Sequence, residues 1–261
     1  MRRGQCKIEW PTIRNVVRFL NEELRIGKIR DASLNGLQVR ARPNGALKRV
    51  GFAVDACIST FEKAHKLGVN LIVVHHGIKW RPQQDRTLEK KREAYLKKKN
   101  LALYAAHLPL DLHREYGNNI QLSRLLGLQN LHEFGKYHGI KIGYAGTVKG
   151  TISLDDLATI LKKQLKTTCR VFRFGKGRIR SVGVVSGGGG SVLKDAVQER
   201  LDCFVVGEID LATHNTAREY GMNLLVAGHY ATETVGVKAL RRLVGDVFGI
   251  ETVFIDDVKD L

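Results

Sequence analysis

Two segments of this 261-residue chain place a histidine four residues ahead of a carboxylate, each just past a short apolar run. NLALYAAHLPLD supplies His107 and Asp111, and MNLLVAGHYATE supplies His229 and Glu233. A third apolar run, VNLIVV, leads directly into His75, His76 and Gly77. Imidazole nitrogens with carboxylate oxygens are a ligand mixture that Zn, Fe, Mn, Ni and Co all accept. A carboxylate can bridge two such ions about 3.5–4 Å apart, which activates water for attack on carbon or phosphorus. The pattern predicts a metal site with two divalent ions per chain.

Each motif taken singly has a plainer reading. Adjacent strand residues point to opposite faces, so HHG alone suits one buried and one exposed histidine. Only a break in the strand, which Gly77 permits, lets both address one site. Each His–carboxylate pair alone suits a local hydrogen bond, although His229 and Glu233 share one face if a helix begins there. Pro109 argues for a loop between His107 and Asp111. Recurrence of the pair after equivalent strands shifts the balance to ligation. SGGGGS (186–191) places Gly187, Gly188, Gly189 and Gly190 between a strand and a helix that Ser191 could cap. Such a loop is a candidate phosphate cradle or a tight turn needing positive φ. Glu208 and His214 follow the neighbouring strand and are candidate supporting groups. His113, His132 and His138 belong to no constellation.

The elements that must position these residues alternate along the chain. Ile13, Val16, Val17, Leu20 and Leu24 mark a helix opening at Pro11. Then 49–55 reads as a strand, 59–68 as a helix with Gly68 as its stop, and 69–74 as a buried strand. Ser153 with Asp156 starts a capped helix, DDLATILKKQL. A shift of 132 positions aligns RVGFAVDACISTFEKAHKLGVNLIVVHHG with RSVGVVSGGGGSVLKDAVQERLDCFVVGE, without a gap. Val50/Val182, Gly51/Gly183, Ser59/Ser191, Ala64/Ala196, Val73/Val205 and Val74/Val206 are identical. A duplicated unit follows. The expected fold is α/β: two intertwined lobes with mostly parallel or mixed sheets and a metal site in the cleft between them. The expected lobes are 1–126 with 229–261, and 127–228.

Lys and Arg total 43 against 26 Asp and Glu, a formal net charge of +17. The excess gathers in the first fifty residues, in Lys79–Lys99 and in Lys162–Arg180. The last stretch lacks any acid and interleaves Phe172 and Phe174 with arginines. Such surfaces attract nucleotide phosphates or nucleic acid without sequence readout, and also serve as plain solvated faces. No zinc-finger or RNP-like spacing is present. Cys6, Cys57, Cys169 and Cys203 form no CxxC pair and read as inert thiols of a reducing compartment. No apolar run reaches the roughly 20 residues of a membrane helix. The N-terminus does not read as a signal peptide, so a cytoplasmic location with no membrane partner is expected.

HHG at 75–77, HLPLDLHREYGNN at 107–119, GE at 207–208 and AREYGMNLLVAGHYATETVG at 217–236, with SLNGLQV at 33–39, together resemble the Nif-three-like family. Its members go by the name of type 2 GTP cyclohydrolase I homologues, and the resemblance spans almost the whole chain. It implies a duplicated α/β fold, a dinuclear centre and a ring-like homohexamer. It implies His75, His76, Asp111, His229 and Glu233 as metal ligands, with His107 in a supporting role. The leading expectation is a metal-dependent hydrolase acting on a nucleotide-like anion, with GTP ring opening as the suggested reaction. The alternatives are a nucleic-acid-binding or scaffold protein with structural metals, and a metal-dependent phosphoesterase.

Overall fold

The computed structural model describes residues 11–42, 47–82 and 85–257, so Cys6 lies outside the described residues. The chain forms two compact units. Residues up to His107 join Arg241–Asp257 in the first, and Leu108–Leu240 build the second.

The first unit opens with α1 (Ile13–Glu23), two residues beyond Pro11 because the Thr12 side chain accepts the Asn15 N–H and fixes the cap there. It continues through β1 (Gly36–Val39), β2 (Arg49–Asp55), α2 (Ile58–Lys66), β3 (Leu71–His76), α3 (Arg86–Lys98) and β4 (Ala102–Ala105). Gly68, at φ +69°, ends the turn after α2. The expected strand at 69–74 in fact runs through His76, so both histidines of HHG belong to β3.

The second unit contains α4 (Leu108–Asp111), α5 (Asn118–Leu125), β5 (Gln129–Tyr137), β6 (Ile140–Ser153), α6 (Leu154–Leu165), β7 (Arg170–Phe172) and β8 (Arg178–Val185). A 3-10 turn (Gly189–Val192), α7 (Leu193–Gln198), β9 (Cys203–Val206), α8 (Leu211–Glu219) and β10 (Asn223–Val226) follow. The chain then runs through α9 (His229–Phe248) to β11 (Glu251–Phe254), which rejoins the first sheet. Two local expectations differ. Residues 108–111 form one helical turn rather than a loop, since Pro109 sits where its missing N–H would have no helical partner. Ser191 falls inside the 3-10 turn, and α7 starts at Leu193, with Val192 in the N-cap position and no side-chain cap. Ser153 does cap α6 by accepting the Asp156 N–H.

The first sheet has the order β1-β4-β3-β2-β11, with β1 antiparallel and the rest parallel. The second has the order β5-β6-β8-β9-β10-β7, mixing parallel β8-β9-β10 with antiparallel neighbours. A common motif runs through both: three parallel strands with an antiparallel edge strand, contributed from earlier in the chain, on the third. Val50 pairs with Leu71 and Phe52 with Val73, while Val182 pairs with Cys203 and Val184 with Val205. The same register recurs at the 132-residue offset.

In β9, Cys203 and Val205 join the core under α6, while Phe204 and Val206 join the one under α7 and α8. That alternation is the period of two of a strand buried on both faces. The first unit packs Phe61, Ile72, Val74, Leu96 and Leu103 into its own core. Among the described residues Cys57 donates from its thiol to Asp257 Oδ2 at 3.1 Å, while Cys169 and Cys203 are buried. Burial pushes Cys169 up to about 11 and Cys203 higher still. No helix among the described residues is long and apolar enough to cross a membrane.

Candidate metal centre

The first unit gathers three histidines at the carboxyl ends of β3 and β4. His75, His76 and His107 each offer a ring nitrogen, and these atoms all lie within 4.8 Å of one another. The rings are 4.6 Å apart for His75 and His76, 5.0 Å for His75 and His107, and 5.5 Å for His76 and His107.

Every one of these imidazoles is held through Nδ1. His75, fully buried, donates from Nδ1 to the Ala106 carbonyl at 2.9 Å. His76 donates to Asp55 Oδ1 at 2.9 Å, and His107 to Asp31 Oδ1 at 3.0 Å. A carbonyl or carboxylate only accepts, so the proton belongs on Nδ1 and the lone pair on Nε2. Histidine ligands of metals are fixed in this tautomer by such partners.

Burial pushes the Asp31 carboxyl up, but the hydrogen bond and charge of His107, with Asn35 and the Ser33 N–H, outweigh it and hold it at about 2. Asn35 also accepts the His107 N–H at 2.7 Å, and Gln38 Oε1 accepts the Ile78 N–H at 2.7 Å. The SLNGLQV segment thus braces both histidine-bearing strand ends. The Trp80 indole N–H donates to the Gly77 carbonyl at 2.9 Å, with its ring 5.0 Å from that of His107.

The second unit holds the other set. His229 is the first residue of α9, and Glu233 follows one turn later. His229 Nε2 lies 3.0 Å from Glu233 Oε1, and its Nδ1 lies 3.0 Å from Glu208 Oε1. Glu233 is 3% exposed and Asp111 7%. Asp111 Oδ1 accepts from Asn118 Nδ2 at 2.8 Å and from the Ser186 hydroxyl at 3.2 Å. Gly187 has φ +60°, and a Cβ there would run into Glu233 Oε1 and approach His229 Nε2 to 3.0 Å. The bare backbone leaves room for the paired imidazole and carboxylate, and the two acids against His229, Glu208 and Glu233, favour a cation.

His75, His76 and His107 come together in one unit. His229, Glu233 and Glu208 come together in the other, where Asp111 is hydrogen-bonded to Ser186, beside Gly187. His214 packs edge-on against Phe172 and Phe174, at 5.0 and 5.3 Å. Of the glycine loop, Gly187 and Gly188 lie against Glu233 and Glu208, Gly189 against Val185, and Gly190 against Thr213. His132 pairs with Glu199, and His113 caps its own turn.

Sequence reasoning missed Asp31, Asp55, Asn35 and Asn118. Asp55 had a signal of its own: it is a carboxylate ending a parallel strand, where open sheets place their sites. A divalent metal fits this chemistry, because the donors are imidazole nitrogens of fixed tautomer and neighbouring carboxylates.

A model of the family Duf34/NIF3 (NGG1p interacting factor 3) matches residues 11–260. A Pyrococcus abyssi protein named GTP cyclohydrolase 1 type 2 homolog is 44% identical over 248 residues, 94% of this chain and 98% of its own. The crystal structure of a Thermus thermophilus protein superposes with a TM-score of 0.85 at 36% identity, covering 96% of this chain and all 100% of that one. The structure of the protein ybgI, described as of unknown function, gives 0.88 at 28% identity, with coverage of 96% and 100%. Its fold, its near-complete match to the family model and its kinship with these relatives make this chain a member of the DUF34/NIF3 family.

Proposed function

We propose that this protein is a dinuclear metal-dependent hydrolase acting on a nucleotide-like anion, with GTP ring opening as the reaction its relatives' name suggests. The observation that carries the reading is the anchored cluster of His75, His76 and His107, each fixed through Nδ1. In this reading His75 and His76 of the first unit, and Asp111, His229 and Glu233 of the second, are the residues that would hold two divalent ions per chain. When bound, such ions lower the pKa of water to about 7 and polarise the substrate. Glu208 orients His229, and Asp55 orients His76. His107, with Nδ1–H held by ionised Asp31, uses Nε2 to take a proton from the attacking water and return it to the leaving nitrogen. The same groups would serve a phosphoesterase, with phosphorus in place of carbon. The accompanying assembly is a homohexamer.

Elemental analysis of untagged protein is the direct test. About two metals per chain, lost in both Asp111→Ala and Glu233→Ala, support the reading and open a screen of GTP and phosphoesters. Formate released from GTP identifies ring opening, and inorganic phosphate from esters identifies the phosphoesterase. Protein that holds no metal and takes up none on reconstitution overturns the proposal.

A second reading, nucleic-acid binding, draws on the edge strand β7. Phe172 and Phe174 stack at 6.0 Å, and Arg170 lies 6.0 Å from the Phe172 ring. Lys162, Lys163, Lys166, Arg173, Lys176 and Arg178 are exposed nearby in sequence. Aromatic rings with cations suit single strands, through stacking and phosphate contact. Affinity for a fluorescent oligonucleotide should fall steeply with salt and drop in the Phe172→Ala/Phe174→Ala variant. Salt-independent affinity would contradict it.

A further inference from the structure

The metal ligands of the second unit are joined by a closed circuit of buried hydrogen bonds, and one residue in it makes a link that few side chains could supply. Asn118, fully buried at the start of α5, donates from Nδ2 to Asp111 Oδ1 at 2.8 Å. Its own Oδ1 accepts the N–H of Gly236, inside α9, at 2.9 Å. The same helix returns the connection from its first turn: Thr232 Oγ1 accepts the Gly187 N–H at 3.0 Å. Ser186, next to Gly187, then donates from Oγ to Asp111 Oδ1 at 3.2 Å. Glu233 lies on α9 between the two tied residues, Thr232 and Gly236. A neighbouring amide, Asn119, accepts the Ser186 N–H at 2.6 Å and locks the strand end of β8 into the ring.

The contact between α5 and α9 is tight. A Cβ at Gly236 would lie 2.5 Å from Asn118 Oδ1 and 2.7 Å from the Asn118 nitrogen. A packing role alone would be filled at less desolvation cost by an apolar residue. An amide offers both a donor and an acceptor at one branch point, and here each end is used: the donor on a carboxylate ligand, the acceptor on the helix that carries another.

We propose that Asn118 is a positioning residue of the metal centre, fixing the Asp111 carboxylate relative to α9 so that Asp111 and Glu233 present their oxygens in one geometry. The inference rests on the metal-centre reading above. Asn118 touches no reacting atom and acts through Asp111. Asn118→Asp is the diagnostic change. It keeps the acceptor for Gly236 and the volume, but turns the donor facing Asp111 into a second acceptor. Asn118→Ala removes both links.

A merely structural amide makes the right control. Asn223 is equally buried in the same unit and bonds the backbones of Phe174, Gly175, Lys176 and Asp202. Cobalt(II) titrations, read by visible absorption and by calorimetry, are compared for wild type, Asn118→Asp, Asn118→Ala, Ser186→Ala and Asn223→Ala, each checked for folding by circular dichroism. Both Asn118 variants should bind cobalt about 10–100-fold more weakly, with an altered spectrum. Ser186→Ala, which spares Asn118, should lose less. Asn223→Ala should lose stability but keep both affinity and spectrum. Should Asn118→Asp fail to fold, Asn118→Ala and the graded Ser186→Ala loss still decide. Wild-type affinity and spectrum in the Asn118 variants would overturn the positioning role while leaving the metal reading intact. No cobalt uptake by wild type would sink the metal reading itself, and this inference with it.

Discussion

At the scale of single residues, the chemistry depends on which nitrogen each histidine presents. Asp55 and Asp31 settle that for His76 and His107, as the Ala106 carbonyl does for His75. Asp55→Ala should leave the fold intact yet weaken metal binding about 10–100-fold, because His76 then loses its fixed tautomer and ring orientation. Competition with a chromophoric chelator measures this. Gly187→Ala is the complementary change in the other unit. A side chain at φ +60° costs about 1–2 kcal/mol, and its Cβ collides with Glu233. Thermal unfolding should show the stability loss, and elemental analysis should show metal content falling with it. A variant that retained full metal content would mean that the pocket around Glu233 relaxes freely.

At the scale of elements, the positions of the candidate ligands follow from where strands stop. β3 ends in His76, and His107 and His229 follow closely after β4 and β10. Carboxyl ends of parallel strands leave a crevice that neighbouring helices cannot fill. The strands themselves need bracing at the opposite end, and Asp202 supplies it for β8 by accepting the N–H groups of Arg180 and Ser181 and the Ser181 hydroxyl. Burial pushes the Asp202 carboxyl up, but these donors outweigh it and hold it below the usual carboxylate range. A depressed folded value means the stabilisation is fully present above the unfolded value, about 3.9, and is lost as pH falls through the folded one. Asp202→Asn should therefore lower the melting temperature at pH 7. The gap to wild type should close as the pH is taken toward the folded value. A gap that is the same at every pH would show that the carboxylate charge contributes nothing.

At the scale of the whole molecule, duplication supplies candidate ligands twice over with different chemistry. The first copy ends its strands in imidazoles, and the second surrounds one imidazole with acids. Glu208 occupies the position equivalent to His76 at the 132-residue offset. The first set offers imidazole nitrogens alone, and the second adds carboxylate oxygens to its imidazole. The formal charge of +17 is carried elsewhere, with exposed lysines and arginines along α3, α6 and β7. The proposed hexamer predicts a mass of about 175 kDa (six times 29.2 kDa) by light scattering. A species at 29.2 kDa across the working concentration range would contradict that assembly.

Much of the architecture was written locally. The strand over Arg49–Asp55, the cap at Ser153, the stop at Gly68 and the register repeating at 132 residues all follow from apolar period and short-range polar signals. The candidate donors His75, His76, His107, Asp111, His229 and Glu233 stood out too, because each lies at or shortly after the end of an apolar run; that five of them hold metal is the proposal above. Their supports were not legible. Asp31 reaches His107 across 76 positions, and Asn118 reaches Gly236 across 118. A hydrogen bond between such distant residues leaves no period in the chain, and Asp or Asn alone in a loop looks like any turn residue. The sequence by itself determined the strands, their repeat and which histidines and carboxylates stand at the strand ends. Only the tertiary structure decided which nitrogen each histidine presents and which amide ties Asp111 to α9, because those bonds exist only once the packed strands and helices bring their partners together.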